Sequence, residues 1–146
     1  MEIKLKEFHQ LSVTELYQIL QLRSAVFVVE QNCVYQDIDG KDQKALHVLG
    51  IIEGSVVAYT RCFGPGAYFD QSSIGRVIVA PNKRGAGLGH VIMKASIEAI
   101  EAVYKQKSIA ISAQTYLEKF YQNHGFSQHG SGYLEDGIPH IKMINF

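Results

Sequence analysis

The chain has no tryptophan, two cysteines, three prolines and no excess of charge of either sign, since 14 lysines and arginines balance 14 aspartates and glutamates. Each shortage excludes something. Two cysteines close at most one bridge, so this is no disulfide scaffold; Cys33 in "EQNCVYQ" and Cys62 in "YTRCFG" read as free thiols in a reducing compartment. A net charge of zero gives no pull toward nucleic acid or anionic lipid. No apolar run is long enough to cross a bilayer, and "MEIKLKEFHQ" alternates charged and apolar residues where a signal peptide would be apolar throughout. The expectation is a cytoplasmic protein with no membrane partner. No linker rich in proline, glycine or serine interrupts the 146 residues, which read as a single domain over 1–146. The six histidines and two cysteines show no zinc spacing. "DIDGKD" fails as a calcium loop because its glycine comes too early, so no metal is expected.

What is present is a run of punctuation in "RVIVAPNKRGAGLGHVIMK", residues 76–94. An apolar strand is followed by a proline, by Lys83 and Arg84, by glycines at 85, 87 and 89, and then by a helix. Glycine lets a ligand approach bare backbone, and a helix N-terminus offers unpaired amides and a positive partial charge. Together these make an anion seat suited to phosphate, with Lys83 and Arg84 at its rim. Two familiar phosphate loops do not fit. A P-loop needs Lys and Ser or Thr after its last glycine, where this chain has His90 and Val91; a dinucleotide fingerprint needs glycine at His90. A nucleotide-binding switch is therefore disfavoured.

Around this loop the elements read β, α, three β, α, β, α, β, β. "MEIKLKEF" alternates as a strand. Ser12 and Glu15 form a capping box that starts a helix, with Val13, Leu16, Tyr17 and Leu20 along its apolar face; it runs on or breaks near "LRSAVFVVEQ", where Ala25, Val26, Val28 and Val29 are apolar nearly all round, which implies burial. A hairpin joins "LHVLGII" to "VVAYTRCF" through "EGS", and "IGRVIVA" extends the meander. The helix over 88–105 presents Leu88, Ile92, Ala95, Ala99 and Ala102 as its apolar set. "SIAISA" follows as a buried strand, then the helix "TYLEKFYQNHG" closed by Gly125, then a hairpin of "FSQHGSGYL" and "IPHIKMINF" around "EDG". This order gives an α/β protein, a three-layer α/β/α sandwich on a mixed, mostly antiparallel sheet.

The combination "VIVAP", Arg84-x-x-Gly87-x-Gly89 and this element order resembles the GNAT superfamily of acyl-coenzyme A dependent N-acyltransferases. "LRSAVFVVEQNCVYQDIDGKD", "SAQTYLEKFYQNHGF" and "EDGIPHIKM" resemble its ElaA-like branch. The resemblance covers nearly the whole chain and implies the acyl-CoA N-acyltransferase fold, with acetyl-CoA as co-substrate. It assigns the coenzyme pyrophosphate to Lys83, Arg84, Gly85, Ala86, Gly87, Leu88, Gly89 and His90. It assigns the pantetheine arm to the backbone of Val77, Ile78 and Val79, in a gap opened by a strand bulge. The Val79 amide would then be a donor to the thioester carbonyl, and the same valines serve equally as core residues.

The resemblance makes Tyr121 the general acid for the leaving thiolate; the other reading is an aromatic of the cleft wall. Glu30 and His140 are the two residues that could deprotonate the amine, against the plainer roles of a salt-bridged helix end and a hydrogen-bonded histidine. Asp37, Asp39 and Asp42, with Glu135 and Asp136, either line an acceptor pocket or sit on a solvated loop and turn. The function expected is acetyl transfer to a primary amine, of a small molecule or a protein, by direct attack in a ternary complex. The competing expectation is a non-catalytic acyl-CoA-binding module. An edge strand in the last hairpin would allow a homodimer.

Overall fold

The computed structural model describes residues 1–146. Its eight strands form one sheet in the order β1-β2-β3-β4-β5-β8-β6, with β7 also paired to β8. The strands β1 (Glu2–Glu7), β2 (Leu46–Ile52), β3 (Ser55–Phe63) and β4 (Ser72–Val79) run as an antiparallel meander. The helix α2 (Leu88–Tyr104) then crosses over to β5 (Ile109–Gln114), parallel to β4. The helix α3 (Glu118–Gln122) leads to β6 (Ser127–Gln128), β7 (Tyr133–Glu135) and β8 (Ile138–Asn145). The helix α1 (Val13–Arg23) covers the other face. This is the expected three-layer α/β arrangement.

Side-chain alternation divides the core. From β3, Val57 and Tyr59 join Ile19, Leu22, Leu49 and Ile78 beneath α1. Ala58 and Cys62 turn the other way, to Ile92, Met93, Ile100 and Met143 beneath α2. Burial in this second core pushes the Cys62 thiol up to about 12, which makes it an inert packing residue. Turn chemistry sets register at both hairpins. Glu53 and Gly54 (φ 50° and 79°), like Asp136 and Gly137 (φ 50° and 76°), make two-residue turns with positive φ at both positions.

Four local expectations need correction. The Ser12–Glu15 capping box forms, but α1 buries Ile19, Leu22 and Arg23 while Val13 and Tyr17 are exposed. Both faces carry apolar residues; the inner one sets Ile19 and Leu22 against the sheet and Arg23 against Asp37 and Asp42 inside the protein. Next, Ser24–Glu30 continues α1 as a π-helix, with Gln31 N–H on Val26 O, so Val26 faces the core and Val29 faces solvent. In α2 the buried set is Ile92, Met93, Ser96, Ala99 and Ile100, and Ala102 is exposed. Ser96 is admitted because its hydroxyl donates to Ile92 O at 2.7 Å and pairs with Thr60 at 2.6 Å. Finally, "FSQHGSGYL" is two short strands, broken around Gly130, whose φ is 90°.

Candidate active site

The strands β4 and β5 are joined only at Ser72↔Ile109 and Ser73↔Ala110, and beyond these pairs they diverge. The cause lies in β4. Its pairing with β3 slips between Tyr59 and Arg61, and Arg76 adopts φ 50° there, an unfavourable value for a side chain of this size. This is the bulge that the resemblance implied. Past it, Ala80 N–H donates to Val57 O at 2.8 Å, so Ala58 and Val79 form a non-hydrogen-bonded pair. The Val79 amide and carbonyl therefore point away from β3 and into the gap. Ile78 turns its side chain into the α1-side core, while Val77 and Val79 pack toward α2.

A cavity of about 680 Å³ fills the gap, running from the glycine loop to an aromatic end walled by Tyr35, Phe63, Tyr68 and Phe69. At the loop, Gly85 and Gly87 take φ 90° and 77°, and a β-carbon at either would meet nothing within 4 Å. No acceptor of the chain takes the amide hydrogens of residues 85–89; the first of the helix, His90 and Val91, bond to Gly87 O. A stretch of bare donors at the start of a 17-residue helix is the environment an anion requires. Gly89 differs from its neighbours, because its β-carbon would lie 3.3 Å from the Phe120 ring. Its smallness thus serves aromatic packing as well as approach. Lys83 and Ala86 do not border the cavity. The His90 ring packs tilted against Phe120 and is hydrogen-bonded through Nδ1 to His124 Nε2 at 2.9 Å, and burial together with His90 lowers the His124 pKa.

Arg84 and Glu30 meet here. The guanidinium forks onto the Glu30 carboxylate at 2.7 and 2.8 Å, and its Nε donates to Val79 O at 3.2 Å. Hydrogen bonding from Arg84 lowers the Glu30 pKa. That makes Glu30 a weaker proton acceptor than a free carboxylate, and of its two expected roles the salt-bridged helix end is the one this geometry favours.

Tyr121 lies on the cavity wall, 6% exposed, edge-on to Phe120 and Phe126. Burial raises its pKa well above the ordinary tyrosine range, so the phenol stays protonated. Its hydroxyl has no hydrogen-bond partner, yet it is not among the buried unpartnered atoms, and so it opens on the cavity. His140 is also on the wall. Its Nδ1 donates to Ile138 O at 2.6 Å, leaving Nε2 to face Glu135 at 3.3 Å.

The aspartates expected around an acceptor pocket or on a solvated loop are in neither place. Asp37 and Asp42 are buried and Asp39 partly so, tied to Arg23, Arg61 and Arg76 by contacts of 2.7 to 3.0 Å. Their charges cancel. Glu135 and Asp136, by contrast, border the cavity without an arginine or lysine partner. The aromatic wall and Arg76 escaped sequence reading. The one signal for Arg76 was "SIGRVIV", where glycine followed by arginine breaks an otherwise regular strand.

A model described as an acetyltransferase (GNAT) domain matches residues 9–145. The chain belongs to the GNAT acetyltransferase family. Among GNAT relatives it is 45% identical to the protein ElaA of Escherichia coli, over 92% of this chain and 89% of that one. The crystal structure of Escherichia coli ElaA superposes with a TM-score of 0.92 at 41% identity, over 99% of both chains. An acyl-CoA N-acyltransferase from Pseudomonas aeruginosa superposes at 0.94 with 38% identity, over 100% of both. As a GNAT member the chain is an acyl-CoA-dependent acetyltransferase, an enzyme and not a passive binding module.

Proposed function

We propose that the enzyme transfers the acetyl group of acetyl-CoA to a primary amine by direct attack, with both substrates bound in the one cavity. The observation that carries this reading is the continuity of that cavity, from the unpaired amides of residues 85–89, past Val79 and Tyr121, to the aromatic end. Acetyl-CoA supplies an activated acyl thioester and a thiolate leaving group. The residues present suit it. The loop amides hold the pyrophosphate with no side chain in the way, and the outward-facing amide and carbonyl of β4 receive the amides of the pantetheine arm. The Val79 N–H, free on the gap side, holds the thioester oxygen.

The amine enters from the aromatic end, where the Tyr35, Phe63, Tyr68 and Phe69 rings offer an apolar wall and the Glu135 and Asp136 carboxylates attract its cationic form. As the C–N bond forms, the amine must lose a proton. His140 Nε2 is positioned to take it, with Glu135 beside it. As the C–S bond breaks, the Tyr121 hydroxyl gives a proton to the sulfur. A screen of primary amines for thiol release from acetyl-CoA tests the proposal. Turnover with small aryl and alkyl amines is expected, and release that occurs without any amine would contradict direct transfer.

A further inference from the structure

The Arg84 side chain lies where the coenzyme has to go. Its Nε–H occupies Val79 O, which is the gap-facing carbonyl at the edge of β4. Its two terminal nitrogens are both engaged by Glu30, from the end of the π-helical segment. A guanidinium offers five N–H donors along its edges, and bidentate recognition of a phosphate needs one whole edge. Here the end-on edge is taken by the carboxylate and the Nε side by the carbonyl. A phosphate on the amides of residues 85–89 would in addition stand close to an anion that opposes it.

We propose that Glu30 and Arg84 form a strap across the coenzyme channel, which acetyl-CoA must open on binding. Glu30 is then a positioning residue that sets coenzyme affinity through Arg84; this rests on the reading of residues 85–89 as the pyrophosphate seat. In the free enzyme the strap screens the guanidinium that borders the cavity beside the bare amides, and covers the carbonyl meant for the pantetheine arm. When the coenzyme enters, Arg84 leaves Val79 O and exchanges carboxylate for phosphate. The exchange is nearly balanced, because an exposed ion pair such as this one is worth little and forms and breaks readily. What it adds is selectivity: a ligand without phosphates to draw Arg84 away leaves the channel closed.

The test is calorimetric titration of the full chain with coenzyme A, for the wild type, Glu30→Gln, Arg84→Ala and the double variant. Glu30 is exposed, so Glu30→Gln leaves the fold undisturbed. Glu30→Gln is expected to bind coenzyme A about 2- to 5-fold more tightly, the equivalent of losing one exposed ion pair. The gain is expected to vanish in the Arg84→Ala background. In turnover, KM for acetyl-CoA falls in Glu30→Gln and KM for the amine does not change. Unchanged or weaker binding by Glu30→Gln would overturn the strap, and so would an equal gain without Arg84, which would assign the effect to general repulsion. Failure of all four proteins to bind coenzyme A would instead overturn the seat itself.

Discussion

Arg23 Nε and the Asp37 carboxylate meet at 2.9 Å with 0% and 6% of their side chains exposed, and a second nitrogen of Arg23 holds Asp42 at 2.7 Å. This junction ties α1 to the segment between α1 and β2, and so supports the π-helical turn that carries Glu30 to the cavity. Removing one partner leaves the other charge buried and unpaired. Arg23→Ala and Asp42→Ala are therefore each expected to destabilise the protein by about 3–5 kcal/mol, measured by urea unfolding. The two losses should add incompletely in the double variant, because the Arg23–Asp42 contact is common to both while Arg23–Asp37 and Arg61–Asp42 are lost separately.

The same cluster makes stability depend on pH. Partial burial works against ionisation of Asp39, but hydrogen bonds from Arg61 and the Lys41 amide hold its pKa at about 2. Burial also lowers the pKa of His47, whose ring bonds to Tyr59 and to Asp42 O. A group with a depressed folded pKa contributes stability above its unfolded value and loses it as pH falls. The His47 contribution should fade as pH drops below about 6.5, and that of Asp39 below about 3.9, toward 2. Urea midpoints across pH 7 to 2 check this: His47→Gln should flatten the upper part of the decline and Asp39→Asn the lower.

For Tyr121 the raised pKa carries a kinetic consequence. The acid must be protonated to act, so kcat should stay level with pH through the ordinary tyrosine range near about 10. Tyr121→Phe removes only an oxygen that has no protein partner, so folding should be preserved while kcat falls about 10²- to 10⁴-fold. Full turnover by this variant would return Tyr121 to the role of a cleft-wall aromatic.

The two proton acceptors named from sequence separate by their surroundings. Glu30 is committed to Arg84, whereas His140 presents Nε2 toward the cavity wall and Glu135. His140→Gln should lower kcat/KM for the amine about 10²- to 10⁴-fold, and Glu30→Gln should leave it unchanged. Values of kcat/KM for the amine at saturating acetyl-CoA give the comparison directly.

Most of the fold was legible because it is written in local patterns. The capping box at Ser12, the turn pairs Glu53–Gly54 and Asp136–Gly137, and the strand, glycine loop and helix around Gly87 each follow from neighbouring residues. The misreadings arise where distant residues decide. The exposed Val13 and Tyr17 belong to a stripe that is itself apolar, while the buried side carries Ile19 and Leu22 against the sheet and Arg23 against distant aspartates, partners that no local pattern announces. Likewise Asp37 and Asp42, polar in a polar stretch, gave no local sign that three arginines would bury them. The aromatic end of the cavity was hidden for the same reason, since Tyr35, Phe63 and Tyr68 come from three separate segments.

The most direct test of the central claim is a calorimetric titration of acetyl-CoA against the wild type and Gly87→Asp, with ATP alongside. Gly87 sits at φ 77° with no atom within 4 Å of its β-carbon, a left-handed position that strains any side chain, aspartate less than most, so the urea midpoint of the variant is measured alongside to show that it folds. Its carboxylate would stand among the bare amides. The account predicts selective binding of acetyl-CoA by the wild type and its loss in Gly87→Asp; equal affinity in the two would show that the coenzyme phosphates sit elsewhere.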